Sequence, residues 1–293
     1  MMFNSVEFCV TFLALTKLGA VVIPLPSKYS RNEVLSLTAK ADLQYILCDE
    51  KFYDWFVPLE TSGVHLMKPG RSQDGFGFSH LCASYLSPVP SLGREEDDAL
   101  IMFTSGTTGK PKAAELTWGN LVEASKASNR VLSGRVRGRG LWQAVLPFFH
   151  VGGFQVLVRS VCSRWPLRIY ERFDAAAVLR DAEVMHATHI SVVDKMLQDM
   201  LNARPNALSQ YECVLLGGGP LNAKTVARAL EAEARVYASY GMTETSSQVA
   251  NTLITPQFTG GMRLLPGYSA RIVEPDAEGF GRLALRGPGV FGG

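Results

Sequence analysis

The sequence predicts an α/β protein: two βα lobes with mostly parallel sheets flanked by helices, followed by part of a small antiparallel β subdomain. Three observations carry that prediction. Short apolar runs of strand length alternate with stretches of helical periodicity, the pattern of parallel strands joined by helical crossovers. Glycine- and hydroxyl-rich turns follow several of those runs, at the strand ends where open α/β sheets hold their ligands. A stretch rich in Gly, Ser and Pro, His65 to Leu92, lacks sustained periodicity and reads as the connection between two sheet-bearing lobes. The expected divisions are residues 1–92, 93–250 and 251–293.

Glu7 to Leu18 carries Phe8, Val10, Phe12, Leu13, Leu15 and Leu18, which suits a helix packed on one side and ended by Gly19. A short apolar strand follows from Ala20 and ends near Ile23, where Pro24 and Pro26 stop it. Arg31 to Ala39 is expected as a helix and Gln44 to Cys48 as a strand. Beyond the connection, Leu100 to Phe103 reads as a buried strand that breaks into Thr104-Ser105-Gly106-Thr107-Thr108-Gly109-Lys110-Pro111-Lys112.

That loop has the composition of a phosphate holder. Gly106 and Gly109 permit close backbone approach, the N–H groups and hydroxyls of Thr104, Ser105, Thr107 and Thr108 can donate to anionic oxygens, and Lys110 and Lys112 supply charge. It is not a Walker loop, which needs glycines five apart and a Lys followed by Ser or Thr; here the glycines are three apart and Pro111 follows Lys110. A flexible surface loop shares this composition.

Leu116 to Leu132 reads as a helix with Asn120 as a cap, and Arg130, Arg135, Arg137 and Arg139 form a basic cluster without interleaved aromatics, read as a solvated loop. Ala144 to Pro147 is a strand that delivers Phe149 and His150, and Gln155 to Val161 is a helix carrying Arg159. Strands are expected at Leu167 to Tyr170 and His189 to Val193, with helices at Asp174 to Asp181 and Asp194 to Leu201 capped by Asp174 and Asp194. His186 and His189 lack a third ligand at metal spacing. Val214 to Leu216 runs into the turn Gly217-Gly218-Gly219-Pro220, a helix covers Ala223 to Ala234, and the strand Arg235 to Ser239 precedes Tyr240-Gly241-Met242-Thr243-Glu244. There Glu244 can hold Mg²⁺, Thr243 can donate to a phosphate and Tyr240 can stack on a base; a helix N-terminal acid is the plain alternative for Glu244.

At 293 residues, 47% hydrophobic and net charge +2, the chain can bury a large core and has no electrostatic reason to seek nucleic acid or anionic membrane. Its five cysteines are odd in number and widely spaced, which reads as reduced thiols. Neither a signal peptide nor a membrane-spanning run is apparent, so a cytoplasmic protein is expected.

The string Thr104 to Lys112, TSGTTGKPK, closely resembles the signature of the adenylate-forming superfamily of acyl-CoA synthetases, luciferases and peptide adenylation domains. LPFFHVGG around His150, GGGPL at Gly217 and YGMTE at Tyr240 are similar to further motifs of that family, in its order. Leu15 to Leu25, Gly260 to Val273 and Gly281 to Gly289 match more weakly; the last two suit strands of the antiparallel subdomain.

The resemblance implies the fold of the family's N-terminal domain and a two-step reaction in which a carboxylic acid and ATP give acyl-AMP, then CoA takes the acyl group. It implies nucleotide binding by Thr104 to Lys110, Lys112, Gly217, Gly218, Gly219, Pro220, Ser239, Tyr240, Gly241, Met242 and Thr243. Substrate binding falls to Phe149, His150, Gly153, Arg159 and Gly218, Mg²⁺ binding to Glu244, and catalytic roles to His150, Thr243 and Glu244. The implied partners are a small carboxylic acid and CoA, with no nucleic acid and no membrane span, and a homodimer is compatible with it. LPFFHVGGFQVLVRSV with YGMTETSSQV resembles most the o-succinylbenzoate-CoA ligases of menaquinone biosynthesis, in which Arg159 and His150 would hold a dicarboxylate or keto acid. A fatty- or aryl-acid CoA synthetase is the alternative, and a nucleotide-binding fragment without catalysis the alternative of another class. Ala113, Trp118 and Gly219 depart from the family's usual Gly, His and Ala. The family's later TGD motif, hinge and lysine-bearing C-terminal domain do not occur up to Gly293, and the strand before the first helix is also lacking. Weak ligand binding and poor turnover by these residues are therefore expected.

Overall fold

A computed structural model describes residues 1–41, 43–68, 71–72, 75–76, 94–105, 111–132 and 140–292. The first helix, α1 (Val6–Lys17), starts where Ser5 Oγ accepts the Phe8 N–H at 3.0 Å and buries Phe8, Cys9 and Phe12. Its sequel is not a full strand: only Val22 bridges to Leu100, in parallel, because Pro24 and Pro26 have no N–H to offer a ladder. Helix α2 (Arg31–Thr38) is opened by a capping box of Ser30 and Glu33. Strand β1 (Tyr45–Leu47), helix α3 (Tyr53–Glu60) and strand β2 (His65–Met67) follow, and β1 and β2 pair in parallel. The expected connection thus begins with a strand, too short at three residues for periodicity to register. Most of residues 69–93 lies outside the described residues.

Strand β3 (Asp98–Ser105) pairs antiparallel with β4 (Pro111–Thr117). The sequence reading missed β4 and began a helix at Leu116, since Ala and Glu favour helix. Cross-strand pairing overrides that propensity and sets Ala114 and Leu116 inward, Lys112, Ala113 and Glu115 outward. Helix α4 (Trp118–Leu132) therefore starts later, and its cap is Thr117. Thr117 Oγ1 accepts the Asn120 N–H and Asn120 Oδ1 accepts the Thr117 N–H, both at 3.1 Å, so Asn120 is the return partner of a capping box.

The main sheet takes strands β5 (Trp142–Ala144), β6 (Leu167–Ile169), β7 (His189–Val192), β8 (Cys213–Leu216), β9 (Val236–Met242), β10 (Ser247–Leu253) and β11 (Arg263–Leu264). Their spatial order is β11-β10-β9-β8-β7-β5-β6. The five from β6 to β9 are mutually parallel and β10 and β11 run antiparallel. Helices α5 (Val151–Ser163), α6 (Ala175–Met185), α7 (Asp194–Ala203) and α8 (Ala223–Glu231) make the crossovers. Asp174 caps α6, accepting the Ala177 N–H at 2.7 Å. Asp194 does not cap α7: it is the helix's first residue, and its Oδ2 accepts from Gln198 one turn on.

Strand β8 shows why its run is apolar throughout. Val214 and Leu216 pack under α6, α7 and α8, while Cys213 and Leu215 face the core shared with α1, α4 and α5. Each fully buried Val or Leu there contributes roughly 1.5–3 kcal/mol. Strand β10 escaped sequence reading because its inward residues include polar Gln248 and Asn251. The antiparallel pair expected near the end exists as β12 (Ser269–Val273) and β13 (Arg282–Arg286).

Candidate active site

At the carboxyl ends of β7, β8 and β9 lies a cleft of about 550 Å³, roofed by Leu146 to Gly153. Its construction depends on backbone approaches that exclude side chains. A Cβ on Gly153 would stand 2.3 Å from the Pro147 carbonyl oxygen and 2.5 Å from that of Leu146, so only glycine lets α5 seat against the loop after β5. A Cβ on Gly217 would meet Ser239 Oγ at 2.4 Å, and that hydroxyl already donates to the Leu216 carbonyl at 3.1 Å. Gly218 lines the cleft with φ +80°, the left-handed region. Gly219 and Pro220 are exposed beyond it, and a Cβ on Gly219 would enter open space, so the departure from Ala there is sterically silent.

Strand β9 and the turn after it bring Ser239, Gly241, Met242 and Thr243 to the same cleft, with Tyr240 between them in the chain and outside its lining. A bulge between Tyr240 and Gly241 leaves Tyr240 40% exposed, an open aromatic face at the strand's end. Thr243 to Thr245 form a single 3-10 turn, so Glu244 does not begin a longer helix. Thr245 Oγ1 accepts the Met242 N–H at 3.0 Å and donates to the Ser247 carbonyl at 2.7 Å, which pins the turn. Thr243 lines the cleft; Glu244 is half-buried beside it, and its carbonyl accepts the Phe291 N–H at 2.9 Å.

The loop expected to hold phosphate is described only at its flanks. Gly106, Thr107, Thr108, Gly109 and Lys110 lie outside the described residues, as do Arg135, Arg137 and Arg139. Their flanks are placed: Ser105 pairs with Pro111 and Thr104 with Lys112, whose carbonyl accepts from Thr104 Oγ1 at 3.4 Å. Strand β4, which carries Lys112, packs against the turn Thr243–Thr245. The strand that follows the phosphate loop is therefore a neighbour of that turn.

His150 stands at the N-terminus of α5, open to solvent on one side and lining the cleft on the other. Partial burial, and then the Lys28 ammonium, hold its pKa below the ordinary histidine value, which keeps the ring neutral at pH 7. Phe149 packs its ring 4.6 Å from that of His150 and does not itself line the cleft.

Arg159 is the unusual member. Its side chain is 1% exposed, lines the cleft and has no ion-pair partner among the described residues. Nη2 reaches Ser247 Oγ at 3.5 Å, while Nε and Nη1 have no hydrogen-bond partner among the described residues. Burial pulls its pKa down to about 10, still charged at neutral pH. A buried cation with two free donors is a site that a carboxylate completes.

Sequence reasoning missed Ser191, Met196, Ser247 and Gln248 on the cleft wall. Ser191 is 4% exposed and its hydroxyl has no hydrogen-bond partner among the described residues. Gln248 is held by Ser128 Oγ and accepts from Asn251 Nδ2 at 3.2 Å. A lone Ser inside an apolar run leaves no signal in sequence. His189 stands outside the cleft, buried between Trp142 and Trp165, and no group of three metal ligands occurs among the described residues. The residues present fit a magnesium nucleotide: backbone without side chains at 217–218 would let it approach, and Glu244 beside the cleft would offer a carboxylate to the ion.

Across residues 1–293 the chain matches the family described as AMP-binding enzyme. It is 31% identical to the 2-succinylbenzoate–CoA ligase of Bacillus mycoides, over 100% of this chain and 60% of that protein. Among solved structures it is similar to O-succinylbenzoate Coenzyme A Synthetase from Bacillus subtilis in complex with ATP and magnesium ion, with TM-score 0.86 and 26% identity over 100% of this chain and 60% of that one. The AMP complex of the same enzyme gives TM-score 0.84 and 25% identity over 99% and 74%. The chain thus spans 60% of the length of the Bacillus mycoides relative. No helix among the described residues is long and apolar enough to cross a membrane.

Proposed function

This chain belongs to the AMP-binding enzyme family, and from that premise we propose that it activates a carboxylic acid with ATP and passes the acyl group to CoA. A carboxylate oxygen attacks the α-phosphorus, the bond to the bridging oxygen breaks and pyrophosphate leaves. The CoA thiolate then attacks the acyl carbon and AMP departs. Magnesium, when bound, neutralises phosphate charge. The chain's own part is alignment: Thr243 and the flanks of the Thr104–Lys112 hairpin address the phosphates, Tyr240 offers the base a face, and neutral His150 borders the acyl approach. A cytoplasmic enzyme, monomeric or homodimeric, fits this reading.

The acid we infer is a dicarboxylate of the 2-succinylbenzoate type. The observation that supports it is Arg159, a buried cation in the cleft with two donors that have no partner among the described residues. A monocarboxylic fatty acid would leave that cation unpaired on a dry wall. Pyrophosphate release and thermal shift with ATP, Mg²⁺ and a panel of acids test it. The expected result is a response to 2-succinylbenzoate at least ten times that to decanoate or benzoate. An equal or stronger response to the monocarboxylates would reject the dicarboxylate reading, and no acid-dependent response would reject acid activation.

A further inference from the structure

The loop that roofs the cleft draws its support from outside itself. Leu146 and Pro147 follow β5 and line the cleft, and Pro147 has no N–H to give a neighbour. The turn they open is closed by the His150 N–H, which donates to the Pro147 carbonyl at 3.1 Å. On the α5 side the loop rests on Gly153, where the carbonyls of Leu146 and Pro147 take the space a Cβ would need.

The opposite support comes from a residue 142 positions earlier in the chain. Asn4 Nδ2 donates to the Leu146 carbonyl at 2.8 Å, and Asn4 Oδ1 accepts the Phe148 N–H at 2.8 Å. The side-chain amide thus serves as a peptide group does in a ladder, one donor and one acceptor, and it grips the residues on both sides of Pro147. Its surroundings hold it still. Asn4 is 8% exposed and Phe148 is 1% exposed, and the Phe8 ring of α1 packs 5.2 Å from that of Phe148. Ser5, the next residue, caps α1 by accepting the Phe8 N–H, which anchors the Asn4 backbone to that helix.

We propose that Asn4 is a positioning residue for acid activation: through Leu146 and Phe148 it sets the roof loop, and with it His150, over the acyl group without touching the substrate. This deepens the acid-activation reading and rests on it. The clamp acts on one half of the site. Leu146, Pro147 and His150 border the cleft where the acyl group is placed above, whereas Gly217, Gly218 and Thr243 come from the ends of β8 and β9. Among the described residues the Asn4 side chain bonds to the former loop and not to the latter ends. Two buried amide bonds resist a tilt of the loop, and a misplacement of about 1 Å at a reacting group can cost on the order of a hundredfold. Asn4 therefore couples α1 to the acyl half of the cleft and leaves the nucleotide half alone.

The test compares two ligands that share a nucleotide, AMP and an acyl sulfamoyl adenosine carrying the 2-succinylbenzoyl group, each titrated calorimetrically into the whole chain. Asn4→Ala is expected to weaken the acyl analogue about tenfold and to move AMP by less than about twofold. Amide exchange should quicken at Phe148 and stay unchanged at Val214, whose N–H donates within the sheet to Arg235. Ser5→Ala, which removes the neighbouring cap, is expected to lower Tm and leave both affinities as they are. Equal weakening of both ligands by Asn4→Ala, unchanged affinity for the analogue, or the same selective loss in Ser5→Ala would overturn the positioning role while leaving acid activation in place. A parent that binds the analogue no better than AMP would overturn acid activation and this proposal together. Should Asn4→Ala not fold, the parent's Phe148 amide decides: the analogue is expected to slow its exchange about tenfold more than AMP does, and equal effects would overturn the proposal.

Discussion

The guanidinium of Arg159 lies over the indole of Trp142, with Cζ 5.8 Å from the ring centroid, and nothing anionic in the described protein pairs with it. The ring face and one serine hydroxyl are thin compensation for a charge taken from water. A cation–π contact contributes on the order of 1 kcal/mol, well short of the desolvation cost. The first prediction follows: Arg159→Met leaves stability unchanged or raises it by about 1 kcal/mol, while acid binding weakens by roughly 10–100-fold and ATP binding moves by less than about threefold. Urea unfolding and separate titrations of acid and nucleotide check it. Equal loss of both ligands would show a general collapse of the cleft instead.

Glycine substitutions should separate backbone approach from open space. Gly153→Ala drives a methyl into two carbonyl oxygens and Gly217→Ala drives one into Ser239 Oγ, so each is expected to cost about 1–3 kcal/mol. Gly219→Ala meets nothing and should stay within about 0.5 kcal/mol of the parent. Denaturant midpoints at constant slope decide it.

Acid should destabilise the protein through His189. Its ring is fully buried, its two nitrogens are engaged by Thr188 Oγ1 at 2.8 Å and the Leu132 carbonyl at 3.0 Å, and burial lowers its pKa to about 4. The unfolded chain, with an ordinary histidine near 6.5, binds the proton first as pH falls. The stability from the neutral ring is present in full above pH 6.5, declines as pH drops toward 4, and changes no further below it. The total is on the order of 3 kcal/mol. Unfolding free energies at pH 7, 5.5 and 4.5 should fall less steeply in His189→Gln than in the parent; parallel slopes would remove His189 as the cause.

Asn120 ties the start of α4 to residues 288–290. Its Oδ1 accepts the Thr117 N–H at 3.1 Å, and its Nδ2 donates to the carbonyls of Pro288 at 2.9 Å and Val290 at 3.1 Å. Asn120→Ala should cost about 1–2 kcal/mol and speed amide exchange at Val290 and Phe291, whose own donors go to Gly287 and Glu244. Unchanged exchange at those two amides would show that the tail is held by other contacts.

The motifs legible in sequence were those whose chemistry is local. Gly217-Gly218 and Tyr240 to Thr243 could be read as ligand-admitting turns because glycine, a strand end and a polar turn signal themselves within a few residues, whereas His150 stands out only through the family resemblance. Strand β4 could not be read, because Ala113, Ala114 and Glu115 favour helix by type and only the pairing with Phe103, Met102 and Ile101 makes them a strand. Nor could Ser191 or Gln248, single polar residues whose placement on a cleft wall depends on how far β7 and β10 sit from β8.

What the sequence by itself determined is the order of most elements, the apolar runs that must be buried on both faces, and the glycine and polar turns at strand ends, all consequences of residue type at short range. Only the tertiary structure decided that β4 lies against the Thr243–Thr245 turn and that Arg159 is buried in the cleft with no anionic partner among the described residues. The physical reason is that burial and pairing are relations between segments distant in the chain. A guanidinium on an amphipathic helix reads the same in sequence whether it meets water, a carboxylate or an empty wall.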